Sequence, residues 1–452
     1  MQFVNVTSKL SKKKPDYNIA SAKQSKNVLI SLIEGLATQQ FGYDTLNRAK
    51  KELRKVNDII ATPTGSKLFI DSGGYSIIKG DVPPSSISKF IDCYTDYLKT
   101  ESNHFDYIFS LDIPIALDYP SFNTKENIYN HNQKSLSKSI KVLKDNPSIQ
   151  DKFMFIYQFK MKSQYLIWKQ LFDELEIKKY VNCYSIGGLV GLRGMLRNNN
   201  ETDDLKFSPF IAIAYKCLLD FISSKKFDKE FRLHNLGIYI KHDRFELHLL
   251  EKLFRRYANN QLEINITFDS INYMRTAQLK CRDLEIYSFI NNELERHQNI
   301  QSVPDHIIRD VYYDNEYYTA IQKELEIIKN NKDKKLDNID CFTPLNIYSN
   351  INLDEFFGYI IDKYEITDAF FIATDFQHFL RLTNPILSNL SIMYPKVFTS
   401  RLVTCIKENL RITYIFHKFF INRPSNETKM YEKLDELILQ FIARIAFPFD
   451  LA

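Results

Sequence analysis

The stretch LFIDSGGYSIIKG, residues 68–80, runs an apolar segment into Asp71 and follows it at once with Ser72, Gly73, Gly74 and Tyr75. The chain holds 12 glycines in 452 residues, so a pair behind a carboxylate marks a place where the backbone turns tightly or passes close to something. Alone, the stretch reads equally well as a strand that ends in a turn, with Asp71 capping the next helix. Six further short apolar runs share its form, and together they decide the fold. NVLISLIEG ends near Glu34, YIFSLD at Asp112, FMFIYQ at Gln158, YSIGG at Gly187 and Gly188, LHNLGI at Gly237, and INITFD at Asp269. From Asp71 onward these ends fall about 30 to 50 residues apart, and stretches of helical periodicity such as 86–98 and 244–257 lie between them. Strand then helix, repeated, predicts a parallel sheet with crossover helices. Seven strands exceed the need of a five- or six-stranded open sheet, so the expected fold is a closed (β/α)8 TIM barrel, its eighth strand unassigned.

The rest of the chain reads differently. Segments 316–330, 399–422 and 429–445 carry helical patterns, which predicts a barrel domain over 1–300 and a mainly helical region over 301–452. The stretches 198–204 and 329–340 are polar and read as surface loops. Hydrophobic residues make up 44% of the chain and charged residues 25%, as in an ordinary folded protein. No apolar run approaches the roughly 18 residues that would span a bilayer, and the N-terminal MQFVNVTSKLSKKK lacks the apolar core of a secretory signal. The six cysteines are scattered singly, which suits reduced thiols rather than a disulfide framework or a zinc ribbon. The expectation is a cytoplasmic protein without membrane contact.

The net charge of +5 is uneven. Residues 1–300 carry 43 Lys/Arg against 34 Asp/Glu, and residues 301–452 carry 17 against 21. A mildly basic front is compatible with a polyanionic partner, though solvated faces produce the same imbalance. The basic runs 9–14 and 48–55, and the helical stretch with Arg401, Lys407, Arg411 and Lys418, are candidate polymer contacts.

A barrel brings the C-terminal ends of its strands to one face, so Asp71, Asp112, Gln158, Gly188, Gly237 and Asp269 are expected to converge. Carboxylates so gathered can bind a divalent metal, or can supply a nucleophile and an acid/base for cleaving a glycosidic bond. The glutamine and glycine positions suit a flat, hydrogen-bonding ligand better than a metal: backbone amides, a side-chain amide and a carboxylate together match the edge of a nucleobase. Tyr75 is placed to stack on such a base, and the glycine pair to let the loop approach it. Each piece alone has an ordinary reading as a cap or turn; their shared position on one rim gives the functional signal.

These residues resemble the tRNA-guanine transglycosylase family, over roughly 65–280. The most specific matches are DSGGY at 71–75, SIGGL at 185–189 and FDSINYMR at 268–275; FSLD at 109–112, IYQ at 156–158 and NLGI at 235–238 are weaker. The resemblance implies a TIM barrel that exchanges guanine in a polynucleotide for a 7-deazaguanine. It implies Asp269 as nucleophile at C1′ and Asp71 as general acid/base. Asp112 and Gln158 would read the base edge, Ser72 and the backbone at Gly187, Gly188 and Leu189 would complete the base site, and Tyr75 would sandwich the ring with Leu236 beside Gly237. Arg275 would help to hold the polynucleotide, and Arg401, Lys407 and Arg411 are further nucleic-acid candidates. The chain departs from the family's tRNA-acting members. It lacks their CxCxxC…H zinc pattern, only Cys281 following Asp269 within fifty residues; Ser76 follows Tyr75, and Ser270 follows the nucleophile. That looks more like the branch found in phages and bacterial genome islands, which modifies DNA and so evades restriction. The implied activity is a DNA-guanine transglycosylase that takes a free 7-deazaguanine such as 7-cyano-7-deazaguanine (preQ0), with no metal or other cofactor, in the host cytoplasm if phage-encoded. The alternatives are a tRNA enzyme of the same mechanism and a non-catalytic nucleic-acid-binding subunit. The presence of both carboxylates speaks against the latter. A carbohydrate hydrolase would need stacking tryptophans, and the chain has Trp168 alone.

Overall fold

The computed structural model describes residues 1–7, 21, 25, 27–31, 67–74, 77, 82–113, 124–159, 161–189, 207–224, 230–259, 261–270, 272–330, 336 and 338–445. Eight parallel strands close a barrel: β1 (Gln2–Thr7), β2 (Asn27–Ser31), β3 (Lys67–Asp71), β4 (Tyr107–Phe109), β5 (Phe153–Tyr157), β6 (Cys183–Ile186), β7 (Phe231–Asn235) and β8 (Ile264–Asp269). Helices α1 (Ile87–Glu101), α2 (Lys125–Asp145), α3 (Lys162–Glu174), α4 (Ile211–Ser223) and α5 (Lys241–Tyr257) follow β3 to β7, and α6 (Asn272–Lys280) follows β8. The strand left unassigned by the sequence is β1. It pairs with β2 on one side and closes on β8 on the other, Phe3 opposite Phe268 and Val4 opposite Asp269. The run NVLISLIEG becomes β2 but ends at Ser31; Glu34 lies outside the described residues.

Strands buried on both faces show why the apolar runs are so continuous. Val4, Leu29, Phe69, Phe109, Met154, Ile156 and Cys183 point inward and fill the barrel. Their neighbours Val28, Ile70, Ile108, Phe155, Tyr184, Leu233 and Ile266 point outward under the helices, the period-two alternation of a strand.

A hairpin follows α6, with β9 (Ile286–Ile290) antiparallel to β10 (Glu293–His297). Its two turn residues, Asn291 and Asn292, both take left-handed φ, 52° and 64°, which suits the right-handed twist of a tight hairpin. Helices α7 (Asp305–Val311), α8 (Asn315–Asn330), α9 (Thr343–Lys363), α10 (Ile366–Ile372), α11 (Phe376–Met393), α12 (Ser400–Ile421) and α13 (Glu427–Arg444) follow among the described residues. The expected helical region is therefore present, and it is packed onto the barrel. One core runs from the barrel's outer layer into Phe356, Leu387, Ile406 and Leu434, while a smaller core joins α6, β9, α7, α8 and the start of α9 around Ala277, Ile286, Ile308, Ile321 and Leu345.

Polar bonds fix the two parts in register. Arg244 on α5 is buried and donates to Asp354 at 2.7 Å and to the Asn350 side chain at 2.7 Å. Asn409 on α12 accepts from the Ser208 N–H at 2.6 Å and donates to the His242 carbonyl at 3.3 Å. The Tyr165 hydroxyl of α3 donates to Asp435 of α13 at 2.6 Å. No helix among the described residues is long and apolar enough to cross a membrane.

Candidate active site

The expected convergence is built strand by strand at the C-terminal rim. Asp71 ends β3 beside Ser31 of β2. The next residue, Ser72, is fully buried and its hydroxyl has no hydrogen-bond partner among the described residues. Gly74 then passes so close to the neighbouring strand end that a Cβ there would stand 2.9 Å from both the carbonyl oxygen and Oδ1 of Asp112. The glycine pair was expected to admit a base; its second member is required by Asp112. Tyr75 lies outside the described residues.

Asp112 stands three residues beyond β4 on a loop that α2 holds. Asn132 accepts from the Ile113 N–H at 2.8 Å and donates to the Ile113 carbonyl at 3.0 Å, and the Ser135 hydroxyl donates to the Leu111 carbonyl at 2.5 Å. Beneath the rim, the Tyr94 hydroxyl donates to the Phe109 carbonyl at 2.5 Å. Burial pushes this phenol well above its ordinary value, and the charges of Asp71 and Asp112 add to the effect, so both carboxylates lie within electrostatic reach of one side chain.

Gln158, one residue past β5 and buried, donates its Nε2 amide to Asp112, while its Oε1 is buried with no partner among the described residues. The bare backbone of Gly187 makes the space: a Cβ there would stand 2.6 Å from Gln158 Nε2 and 2.8 Å from Ile156 Cγ2. Gly188 follows with φ at 80°, and the Leu189 side chain is buried in the core, leaving its backbone as the part that could meet a ligand.

Across the rim, Asp269 ends β8 and is 8% exposed. Its Oδ1 accepts the Gly237 N–H at 2.9 Å and lies 3.3 Å from His234 Nε2. Leu236 packs half-buried against the barrel's inner core between these two partners. His234 and its companion Thr267 escape the sequence reading. The available signal was the alternation itself, since a residue two before the inward Leu236 also faces inward.

The structure thus places Asp71, Ser72, Asp112, Gln158, Gly187, Gly188, Leu236, Gly237 and Asp269 on one rim. Arg275 is exposed on α6, and Arg401, Lys407 and Arg411 form an exposed stripe of α12. This helix runs parallel to α5: Asn409 meets His242, Thr413 donates to Glu246, and His417 lies 2.8 Å from the Tyr257 hydroxyl. Since α5 starts at the C-terminal rim, α12 extends beyond Asn409 toward that side, and Arg401 stands about 12 Å further along. Lys418 differs from expectation, because it turns inward to donate to the Ala373 carbonyl at 3.1 Å. The basic runs 9–14 and 48–55 lie outside the described residues.

Among the described residues no three His, Cys, Asp or Glu side chains are arranged to hold a metal ion, and Cys281 is a half-buried free thiol. Chemically, the rim offers a carboxylate anchored on one oxygen, a carboxylate–amide pair with a spare buried carbonyl, and a second carboxylate beside them. Comparison with known proteins finds no family model that matches this chain and no curated protein of significant sequence similarity to it.

Proposed function

We propose that the protein is a base-exchange transglycosylase that replaces guanine in DNA with a 7-deazaguanine, 7-cyano-7-deazaguanine or a close derivative. The observation that carries this reading is the rim itself. Among the described residues Asp269 is held through Oδ1, and the Asp112–Gln158 pair faces the same mouth with a donor and acceptor set suited to a purine edge. The target nucleotide leaves its stack to enter the mouth. Asp269 attacks C1′; the C1′–O bond forms as the C1′–N9 bond breaks, and the electron pair leaves with guanine, which takes a proton from Asp71. The incoming base gives its N9 proton back to Asp71 and attacks C1′, and the pair of the breaking C1′–O bond returns to Asp269. One acid/base serves both halves, so the exchange balances without a further reactant. The missing CxCxxC…H pattern favours DNA over tRNA as the polymer. Expression in cells supplied with labelled deazaguanine, followed by digestion of DNA and tRNA to nucleosides, tests the reading. Label in DNA is expected; label in tRNA alone transfers the activity to that polymer, and label in neither overturns it.

A further inference from the structure

Inside the barrel, two residues before Leu236, His234 is completely buried, its ring 4.9 Å from that of Phe109 and 5.7 Å from that of Phe69. An apolar residue would fill such a space, as Ile156 does on the same inner wall. Yet both imidazole nitrogens are matched to polar atoms of β8: Nδ1 lies 2.8 Å from the Thr267 hydroxyl and Nε2 lies 3.3 Å from Asp269 Oδ1. The partners set the tautomer. A carboxylate only accepts, so Nε2 carries the hydrogen; a hydroxyl can donate, so Thr267 serves Nδ1. Gly237 N–H reaches the same carboxylate oxygen at 2.9 Å. Two donors therefore converge on Oδ1, and no donor among the described residues meets Oδ2.

We propose that His234 is a positioning residue: with the Gly237 N–H it clamps Oδ1 of Asp269 and presents Oδ2 as the oxygen that bonds to C1′. The proposal rests on the transglycosylase reading for the reaction and on geometry for the clamp. When the C1′–Oδ2 bond forms, Oδ1 becomes the ester carbonyl and still accepts both donors. When the incoming base attacks and the C1′–Oδ2 pair returns, the charge is shared with Oδ1, where the same two donors already point. The clamp thus fixes the angle of attack and stabilises the carboxylate as it departs, with no reorganisation between the two steps.

The test uses the full chain in two arms. In the first, protein labelled with 15N-histidine, one of nine histidines assigned by its loss in His234→Gln, reports the His234 tautomer by NMR. An Nε2–H form whose shifts respond to Asp269→Asn is expected; an Nδ1–H form, or shifts indifferent to that change, overturns the clamp whatever the enzyme acts on. In the second, His234→Leu removes the donor and keeps the bulk, whereas His234→Gln retains an N–H near Nε2. A hydrogen bond to a charged group corresponds to about 10- to 100-fold. We expect His234→Leu to slow formation and turnover of the covalent adduct by that factor, with binding of the free base changed less than about twofold, and His234→Gln to recover most of the rate. Equal losses in both variants, or a loss confined to base binding, overturn the positioning role. Wild-type protein that shows the clamp by NMR but forms no adduct with DNA or tRNA sinks the transglycosylase reading instead.

Discussion

Gln158 gives its amide hydrogen to Asp112 and keeps its own carbonyl oxygen buried with no partner among the described residues, an arrangement for which the bare backbone of Gly187 makes room. A buried orphan acceptor is unfavourable in the empty protein and becomes satisfied when a donor arrives, so under the proposed function its placement beside a carboxylate would suit a ligand edge that carries N–H groups. Gly187→Ala puts a methyl 2.6 Å from Gln158 Nε2 and must displace that side chain. Free deazaguanine should then bind about tenfold more weakly, the equivalent of one hydrogen bond. Titration calorimetry of the variant checks this, and Gln158→Met should weaken binding similarly without the steric change. Wild-type affinity in both would remove the pair from the base site.

The two carboxylates proposed to do chemistry should fail differently. Asp269→Asn leaves no oxygen able to form the glycosyl ester, so the denaturant-resistant adduct with DNA should vanish while the unfolding midpoint stays close to that of the wild type. Asp71→Asn should still permit the ester but slow its formation and resolution by about 10²–10⁴-fold, the usual range for a lost acid/base. Gel separation of adducts after a timed incubation distinguishes the two. A fully active Asp269→Asn would refute the assigned nucleophile.

The exposed stripe of α12 should act through phosphates. Replacing Arg401 and Lys407 by glutamine removes two charges from the side of the helix nearest the rim. If each neutralises one phosphate, the slope of log affinity against log salt should become shallower by about one per residue, equally for all DNA sequences. Fluorescence anisotropy over a salt series measures it. An unchanged slope would make the stripe an ordinary solvated face.

Much of this was legible from the sequence because strands buried on both faces leave continuous apolar runs, and six of the seven runs here, all but the one that ends at Glu34, stop at a residue on the rim. The runs around Phe69, Phe155 and Ile266 exposed β3, β5 and β8 in that way. β1 was not legible: Phe3 and Val4 are its described core contacts, the polar Gln2 and Asn5 on either side of them keep its apolar run to two residues, and its strand character comes from pairing with β2 and β8. The β9–β10 hairpin carried a usable sign in its two adjacent asparagines, which tolerate left-handed φ, but the pattern before them was too short to separate strand from helix. His234 was hidden for another reason. A single histidine in a strand announces neither the aromatic wall around it nor the carboxylate one strand away.

The join between barrel and C-terminal helices depends on a buried charge. Arg244 places its guanidinium against Asp354 and Asn350 with almost no exposure, and α5 and α9 meet there. Arg244→Met leaves Asp354 buried without its cation, which should cost about 3–5 kcal/mol in denaturant unfolding. The double variant Arg244→Met, Asp354→Leu should recover a large part of that loss, since an apolar pair needs no compensation there. If the double variant is as unstable as the single one, the loss lies in packing rather than in the orphaned charge.

A second buried group on the same helix should make stability depend on pH. Glu246 is enclosed between α5 and α12, where Thr413 donates to its Oε1 and its Oε2 has no partner among the described residues. Burial pushes this carboxyl up from its ordinary value of 4.5 to about 8, with the nearby charge of Asp243 acting in the same direction and the Thr413 bond opposing it. In the unfolded chain the group loses its proton near its ordinary value; in the folded chain it keeps the proton until about pH 8. The folded state therefore holds the extra proton throughout that window, and stability falls as pH rises across it, then levels off. His248, which burial holds well below its ordinary value, acts in the opposite sense, costing stability as pH falls below about 6.5. The raw profile mixes the two, so the comparison needed is wild type against Glu246→Gln, which keeps the shape and cannot ionise. The melting temperature of the variant relative to wild type should rise steadily from pH 5 to pH 8. A difference that stays flat over that range would mean that Glu246 ionises in the folded protein as readily as in water, and that its enclosure between α5 and α12 is looser than the contacts with Thr413 indicate.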